Sequence, residues 1–227
     1  MRLEVALALA IGGDLRHLAE VARQLDYLGL EVELGGPVVW GDVEILGKGA
    51  NSVVVLCRRV QGGGRLACKI RRGDAQRSDL LMEAFFLSLA NGVSVGPKLF
   101  AYSKDVIAME YIEGVPLAAW WRSADPKSKS LVLSQLLDQA FALDELGLVH
   151  GELSRPGEHV VVVGDKPVIL DFESARFGAA RNVPQIANML RALGLSPPLD
   201  LLRAYKSAPS RQLLENIKRS LLSQLER

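Results

Sequence analysis

The chain has 227 residues, 49% of them hydrophobic and 23% charged, and a formal net charge of +1. A chain of this length and apolar share buries a sizeable core, in one domain or in two small lobes. The charge balance gives no global field toward nucleic acid or an anionic membrane surface, and no apolar run approaches the length that crosses a bilayer.

The apolar stretch Leu3 to Ile11 follows Arg2. Glu4 interrupts it and no small-residue cleavage pattern comes after it, so it is expected to be buried structure of a cytoplasmic protein. Asp14 is placed to cap a helix whose apolar positions Leu15, Leu18, Val21, Leu25 and Leu28 recur at helical spacing until Gly29. Leu30 to Leu34 reads as a strand. Residues 1–40 are too few for a core of their own and are expected as an appendage packed on the strands that begin at Val43.

From Val43 the pattern is a meander of strands: Val43 to Leu46, a glycine loop, Val53 to Arg59, a turn at Gly62-Gly63-Gly64, and Arg65 to Ile70. Cys57 and Cys68, the two cysteines, point to the same side of this hairpin. A disulfide is conceivable there, but reduced, half-buried thiols are the expectation for a cytosolic chain. Asp79 to Ala90 reads as a helix with Glu83 interrupting a broad apolar face. Leu99 to Tyr102 and Val106 to Tyr111 come next as strands around the Ser103-Lys104-Asp105 turn.

Beyond Gly114 helices are expected over Pro116 to Ser123 and Lys129 to Leu146. The stretch His150 to Glu173 then carries two short apolar runs, Val160 to Val163 and Pro167 to Leu170. With turn chemistry at Gly164-Asp165-Lys166 they predict a β-hairpin with an acid, Glu152 or Asp171, beyond each outer end. Helices over Pro184 to Leu193, Pro198 to Tyr205 and Ser210 to Leu225 complete the chain. The fold class is therefore α+β: an antiparallel strand-rich lobe with one helix over 41–113, a linker near Glu110 to Gly114, and a mainly helical lobe over 114–227.

Four groups of residues carry chemistry. The loop Gly47-Lys48-Gly49-Ala50-Asn51-Ser52 joins two strands instead of opening a helix; by itself it reads first as a plain tight hairpin and second as a flap whose amides cover phosphates. Ala67 and Lys69 share a strand face with Val54, giving a flat slot for a base with an ammonium deeper in. Glu83 is the partner that so apolar a helix face requires of its charge. Met109 and the backbone of Glu110 and Ile112 stand where a linker would meet an adenine edge. Glu152 and Asp171 are two carboxylates able to orient a hydroxyl and hold a divalent cation.

In order, these features resemble the protein-kinase superfamily: glycine loop, strand lysine, helix glutamate, linker, His-x-acid turn and Asp-Phe pair, spread over Gly47 to Glu173. The Met-Glu-Tyr-Ile-Glu-Gly linker at 109–114, His150-Gly151 and the compact helical tail look most like the small atypical kinases, namely the RIO kinases and the kinase subunit of the KEOPS tRNA-modification complex, of archaeal serine/threonine type. The resemblance implies a bilobal kinase-like fold and an enzyme that uses ATP with Mg2+ or Mn2+. It implies that Gly47 to Ser52 cover the phosphates, that Lys69 supported by Glu83 meets the α- and β-phosphates, and that Val54, Ala67, Met109, Glu110 and Ile112 surround the base. Asp171 would bind the metal and Glu152 would orient the acceptor hydroxyl.

The chain also departs from the family pattern. Glu152 stands where aspartate is usual, which displaces the carboxylate by roughly an ångström. Gly157 stands where an asparagine holds a second metal ion, with Glu158 or His159 as substitutes. Glu173 replaces a glycine, and no Ala-Pro-Glu signature comes after it. Serine or threonine of a protein, its own included, is the expected acceptor; a nucleotide-binding pseudokinase and a small-molecule kinase of the aminoglycoside or choline type are the alternatives. The basic bias of the tail (Lys206, Arg211, Lys218, Arg219, Arg227) reads first as a solvated helix face and second as a surface for an RNA-associated partner.

Overall fold

The computed structural model describes residues 8, 11, 12, 14–41, 43–155 and 159–226. Of the apolar stretch Leu3 to Ile11, most lies outside the described residues, as do Gly157 and Glu158. The chain divides into two compact units, Met1–Phe85 with Lys98–Tyr111, and Phe86–Pro97 with Ile112–Arg227.

In the first unit, helix α1 (Leu15–Tyr27) starts where the Asp14 carboxylate accepts the His17 amide at 2.9 Å, and it stops at Gly29, whose φ of +64° few other residues tolerate. Its buried face is Val21 and Leu25, with Leu18 and Leu28 packed beside them; Leu15 points to solvent instead. Strand β1 (Leu30–Glu33) is next, then a short antiparallel pair, β2 (Val38–Trp40) and β3 (Val43–Ile45). After these come β4 (Gly47–Lys48), β5 (Ser52–Arg59), β6 (Leu66–Arg71), helix α2 (Leu81–Gly92), β7 (Leu99–Tyr102) and β8 (Val106–Glu110).

The main sheet is antiparallel in the order β1-β5-β6-β8-β7, with β4 also on β5. Alternation puts Val53, Val55 and Cys57 of β5 with Cys68 and Ile70 of β6 into one fully buried core, while Val54, Ala67 and Lys69 take the other face. The expected meander is corrected at its first strand. β3 pairs with β2, a three-residue strand too short to show as a sequence pattern, and only its continuation β4 joins the sheet.

A second correction concerns the cysteines: Cys57 and Cys68 are joined as a disulfide rather than held as thiols. Their partners across the ladder are Leu66 and Val55, so the two lie diagonally on one inward face, their Cα atoms 6.0 Å apart, within bridging reach.

Polar contacts also tie α1 to the sheet. Gln24 donates to the Asp105 carboxylate at 2.8 Å and accepts from Ser103 Oγ and the Asp105 amide. Asp105 in turn meets the Arg71 guanidinium, and His17 contacts the Arg71 carbonyl at 3.0 Å. Buried polar groups satisfied this way fix one arrangement of the parts they join.

The second unit contains β9 (Val115–Pro116), α3 (Leu117–Ser123), α4 (Pro126–Glu145), β10 (Leu148–Val149), β11 (Val160–Val163), β12 (Lys166–Ile169), β13 (Arg176–Phe177), α5 (Asn182–Ala192), α6 (Leu199–Ser207) and α7 (Arg211–Leu222). α4 begins earlier than its apolar periodicity suggests, because Asp125 caps the Lys127 and Ser128 amides and Pro126 opens the first turn. Leu133, Leu136, Leu137 and Ala140 on α4 are fully buried, and α4 packs against α5 and α7.

β11 and β12 form the hairpin with Val163 opposite Lys166, so the loop is the two residues Gly164-Asp165. β9 adds a third strand beside β11. β10 and β13 pair separately, an association with no sequence signal because each is two residues long. Among the described residues no helix is long and apolar enough to cross a membrane.

Candidate active site

The first unit presents a cation held by an anion. Lys69 is central in the sheet, opposite Val54 on β5 and Ile107 on β8, and Ala67 is opposite Met109. Glu83 occupies the first turn of α2, and its Oε1 accepts from Lys69 Nζ at 2.6 Å, with both side chains almost fully buried. Neither charge could stay in that surrounding without an opposite partner.

The glycine loop turns tightly: Gly47 and Lys48 pair with Val54 and Val53, and the Gly49 amide donates to the Ser52 carbonyl at 2.8 Å. Arg72 anchors the loop by its amide on the Asn51 carbonyl and its guanidinium on the Gly49 carbonyl. A Cβ placed at Gly47 would meet nothing within 4 Å, so one side of the loop is open. Ala50 is exposed, Ser52 is buried opposite Arg71, and Lys48 lies over the Trp40 ring, 2.9 Å from its centroid. At the strand end the Glu110 amide donates to the Lys98 carbonyl at 2.8 Å. Ile112, half-buried, belongs to the second unit.

The second unit presents the carboxylates. His150 is fully buried; its amide donates to Asn182 Oδ1 at 2.9 Å and its Nε2 faces the Leu170 carbonyl at 2.9 Å. That partner makes Nε2 the protonated nitrogen and leaves Nδ1 to accept the Glu152 amide at 3.4 Å. Burial pushes the imidazole pKa down to about 4, against the pull of the Leu170 carbonyl, so the ring is neutral. Gly151 has φ of +99°, and a Cβ there would stand 2.9 Å from the Ser174 carbonyl; this is why a glycine comes after His150.

Asp171 also has a positive φ, +64°, unusual for a non-glycine residue and a backbone state concentrated at functional positions. The neighbouring Phe172 packs edge-on against His150, ring centroids 5.0 Å apart, and a Cβ on Gly96 would come within 2.9 Å of its ring.

The expected acid beyond each end of the hairpin takes a different form. The residue immediately before β11 is His159, whose carbonyl accepts the Leu170 amide at 2.8 Å. Its ring stands between the two acids: Nε2 is 3.6 Å from Glu152 Oε2 and Nδ1 is 3.9 Å from Asp171 Oδ2. Glu173 lies two residues on, its amide donating to Asp171 Oδ1 at 3.4 Å.

Behind this group lies a polar centre that sequence patterns did not single out. The buried Asp144 carboxylate accepts from the amides of Arg181, Asn182 and Val183, from Asn182 Nδ2 and from Tyr205 Oη, so it caps α5 from another helix. Burial pushes its pKa up while these donors pull it down, and the net shift is upward; burial and Asp144 raise the Tyr205 hydroxyl as well. Asn182 relays the arrangement to the turn through His150, and Gln185 accepts the Leu153 amide at 3.1 Å. Asp144 sits among the buried positions of α4, the one signal that could have found it; Asn182 and Gln185 offer none.

Comparison with curated proteins gives no match for this chain. Residues 75–179, a span that holds Glu83, the His150 turn and Asp171 and begins after Lys69, match the family model of the RIO domain, a family of the atypical protein-kinase-like superfamily.

Proposed function

We propose that the protein is an ATP-dependent phosphotransferase that uses Mg2+ or Mn2+ and acts on a serine or threonine hydroxyl of a protein, its own chain included. The observation that carries this reading is the buried Lys69–Glu83 pair beside an open glycine loop, in a chain whose hairpin ends in Asp171 and whose His150 turn presents Glu152.

On this reading residues 41–113 hold the nucleotide, residues 114–227 hold metal and acceptor, and residues 1–40 are an appendage built onto the first unit's sheet through β1. Glu83 keeps the Lys69 ammonium extended, so that it meets the α- and β-phosphates without a search among rotamers. The amides of Gly47 to Ser52 cover the phosphates, and Val54, Ala67, Met109, Glu110 and Ile112 surround the base. The donor chemistry fits a hard divalent cation, because Asp171 is a partly exposed carboxylate aimed by a constrained backbone. Bound metal supplies neutralisation of charge developing on phosphate oxygens. Glu152 accepts a hydrogen bond from the acceptor hydroxyl and orients it.

Incubation with γ-labelled ATP and Mg2+ or Mn2+ tests this, comparing the wild type with Lys69→Ala and Asp171→Ala. Label transfer that both variants retain in full would sink the proposal. A second reading, a nucleotide-binding pseudokinase, is favoured by glutamate at position 152; it gives nucleotide-dependent thermal stabilisation and no transfer with any metal.

A further inference from the structure

His159 stands between the two carboxylates, and its geometry has a specific chemical meaning. The β11–β12 ladder pairs Val160 with Ile169 and continues as the Leu170 amide on the His159 carbonyl, which puts Asp171 one residue beyond, diagonal to His159. The imidazole then has one nitrogen toward each acid: Nδ1 at 3.9 Å from Asp171 and Nε2 at 3.6 Å from Glu152.

Two donors bound to one metal ion at about 2.0–2.2 Å each stand no more than roughly 4.4 Å apart. The Asp171–His159 separation lies inside that limit. A ligating histidine almost always gives its other ring N–H to a carboxylate, a backbone carbonyl or water, which fixes the tautomer and turns the lone pair toward the metal. Glu152 is on that other side of the ring.

We propose that His159 is a metal ligand, through Nδ1 and beside Asp171, and that Glu152 is its positioning residue, holding Nε2–H. The inference rests on the phosphotransferase reading above and names the metal chemistry of the same site. It gives glutamate at position 152 a reason: the additional methylene carries Oε2 to His159. It also alters metal choice, since an imidazole nitrogen suits Mn2+ and later transition metals, whereas Mg2+ favours an all-oxygen shell. The nucleotide-bound protein therefore holds Mn2+ in strong preference to Mg2+.

The test is pulsed electron paramagnetic resonance of Mn2+ on the full chain with the β,γ-methylene analogue of ATP, using protein labelled with [15N]histidine and unlabelled protein in parallel. Expected is a directly bonded nitrogen whose modulation changes from the 14N to the 15N pattern on labelling and disappears in His159→Asn. His159→Asn binds Mn2+ at least about tenfold more weakly and narrows the preference over Mg2+; Glu152→Gln, which retains size but not charge, weakens Mn2+ by about ten- to a hundredfold.

Bound Mn2+ with no histidine nitrogen overturns this inference alone and makes His159 a bridge between two acids. Failure of the wild type to bind Mn2+ with the analogue overturns this inference, and failure to bind Mg2+ as well overturns the phosphotransferase reading with it. Persistence of the nitrogen signal in His159→Asn overturns the assignment to this residue.

Discussion

Lys69 Nζ and Glu83 Oε1 stand 2.6 Å apart with side-chain exposures of 5% and 6%, so each charge is buried on the strength of the other. Truncating one member is costlier than the net worth of the pair, because the remaining charge stays in an apolar setting. Lys69→Ala is expected to lose about 3 kcal/mol of stability by urea denaturation. Replacing both, Lys69→Met with Glu83→Leu, restores much of that loss while nucleotide-dependent stabilisation stays absent. A double variant less stable than Lys69→Ala would contradict the argument.

Asn182 connects the His150 turn to the start of α5, donating to the Leu148 carbonyl at 2.6 Å and accepting the His150 amide at 2.9 Å. Asn182→Ala leaves these buried groups without that partner, at a cost of about 1–3 kcal/mol. Hydrogen exchange localises the effect: the His150, Glu152 and Leu153 amides exchange faster, while amides of β5 and β6 do not change. Uniform acceleration along the whole chain would show a global loss instead.

The Cys57–Cys68 bond closes a loop of sequence separation 11, and such a crosslink restricts the unfolded chain. Cys57→Ala with Cys68→Ala is expected to lower stability by about 2–3 kcal/mol in denaturant titration. Intact mass of the denatured wild type, alkylated without reductant, shows neither thiol modified. Double alkylation would place the thiols back in the reduced state.

His150 gives a pH dependence with a definite sign. Its folded pKa, about 4, lies below the ordinary 6.5, so the unfolded chain binds the additional proton. The neutral ring's contribution is complete above about pH 6.5 and is lost as pH falls toward 4, by up to about 3 kcal/mol. Stability curves at pH 7, 5.5 and 4.5 should fall more steeply for the wild type than for His150→Gln. Parallel curves would remove His150 as the cause.

The sequence by itself determined the order and type of the helices and of the longer strands, because periodicity, caps and turn glycines are local. Asp14, Gly29, the Gly164-Asp165 turn and Ser210 act within a few residues of where they stand. It also singled out Lys69 with Glu83, and the residues Glu152 and Asp171, since charged groups in apolar patterns are visible without coordinates.

Tertiary structure decided the features that depend on pairing between distant segments. β1 on the edge of the sheet, β10 with β13, and the Cys57–Cys68 bond arise from register, which no local pattern encodes for short strands. The centre of Asp144, Asn182 and Tyr205 spans 61 residues of chain and forms because buried polar groups need partners wherever the fold supplies them. His159 is the sharpest case: a residue that opens a strand by sequence becomes, once the β11–β12 ladder is in register, the group between the two carboxylates.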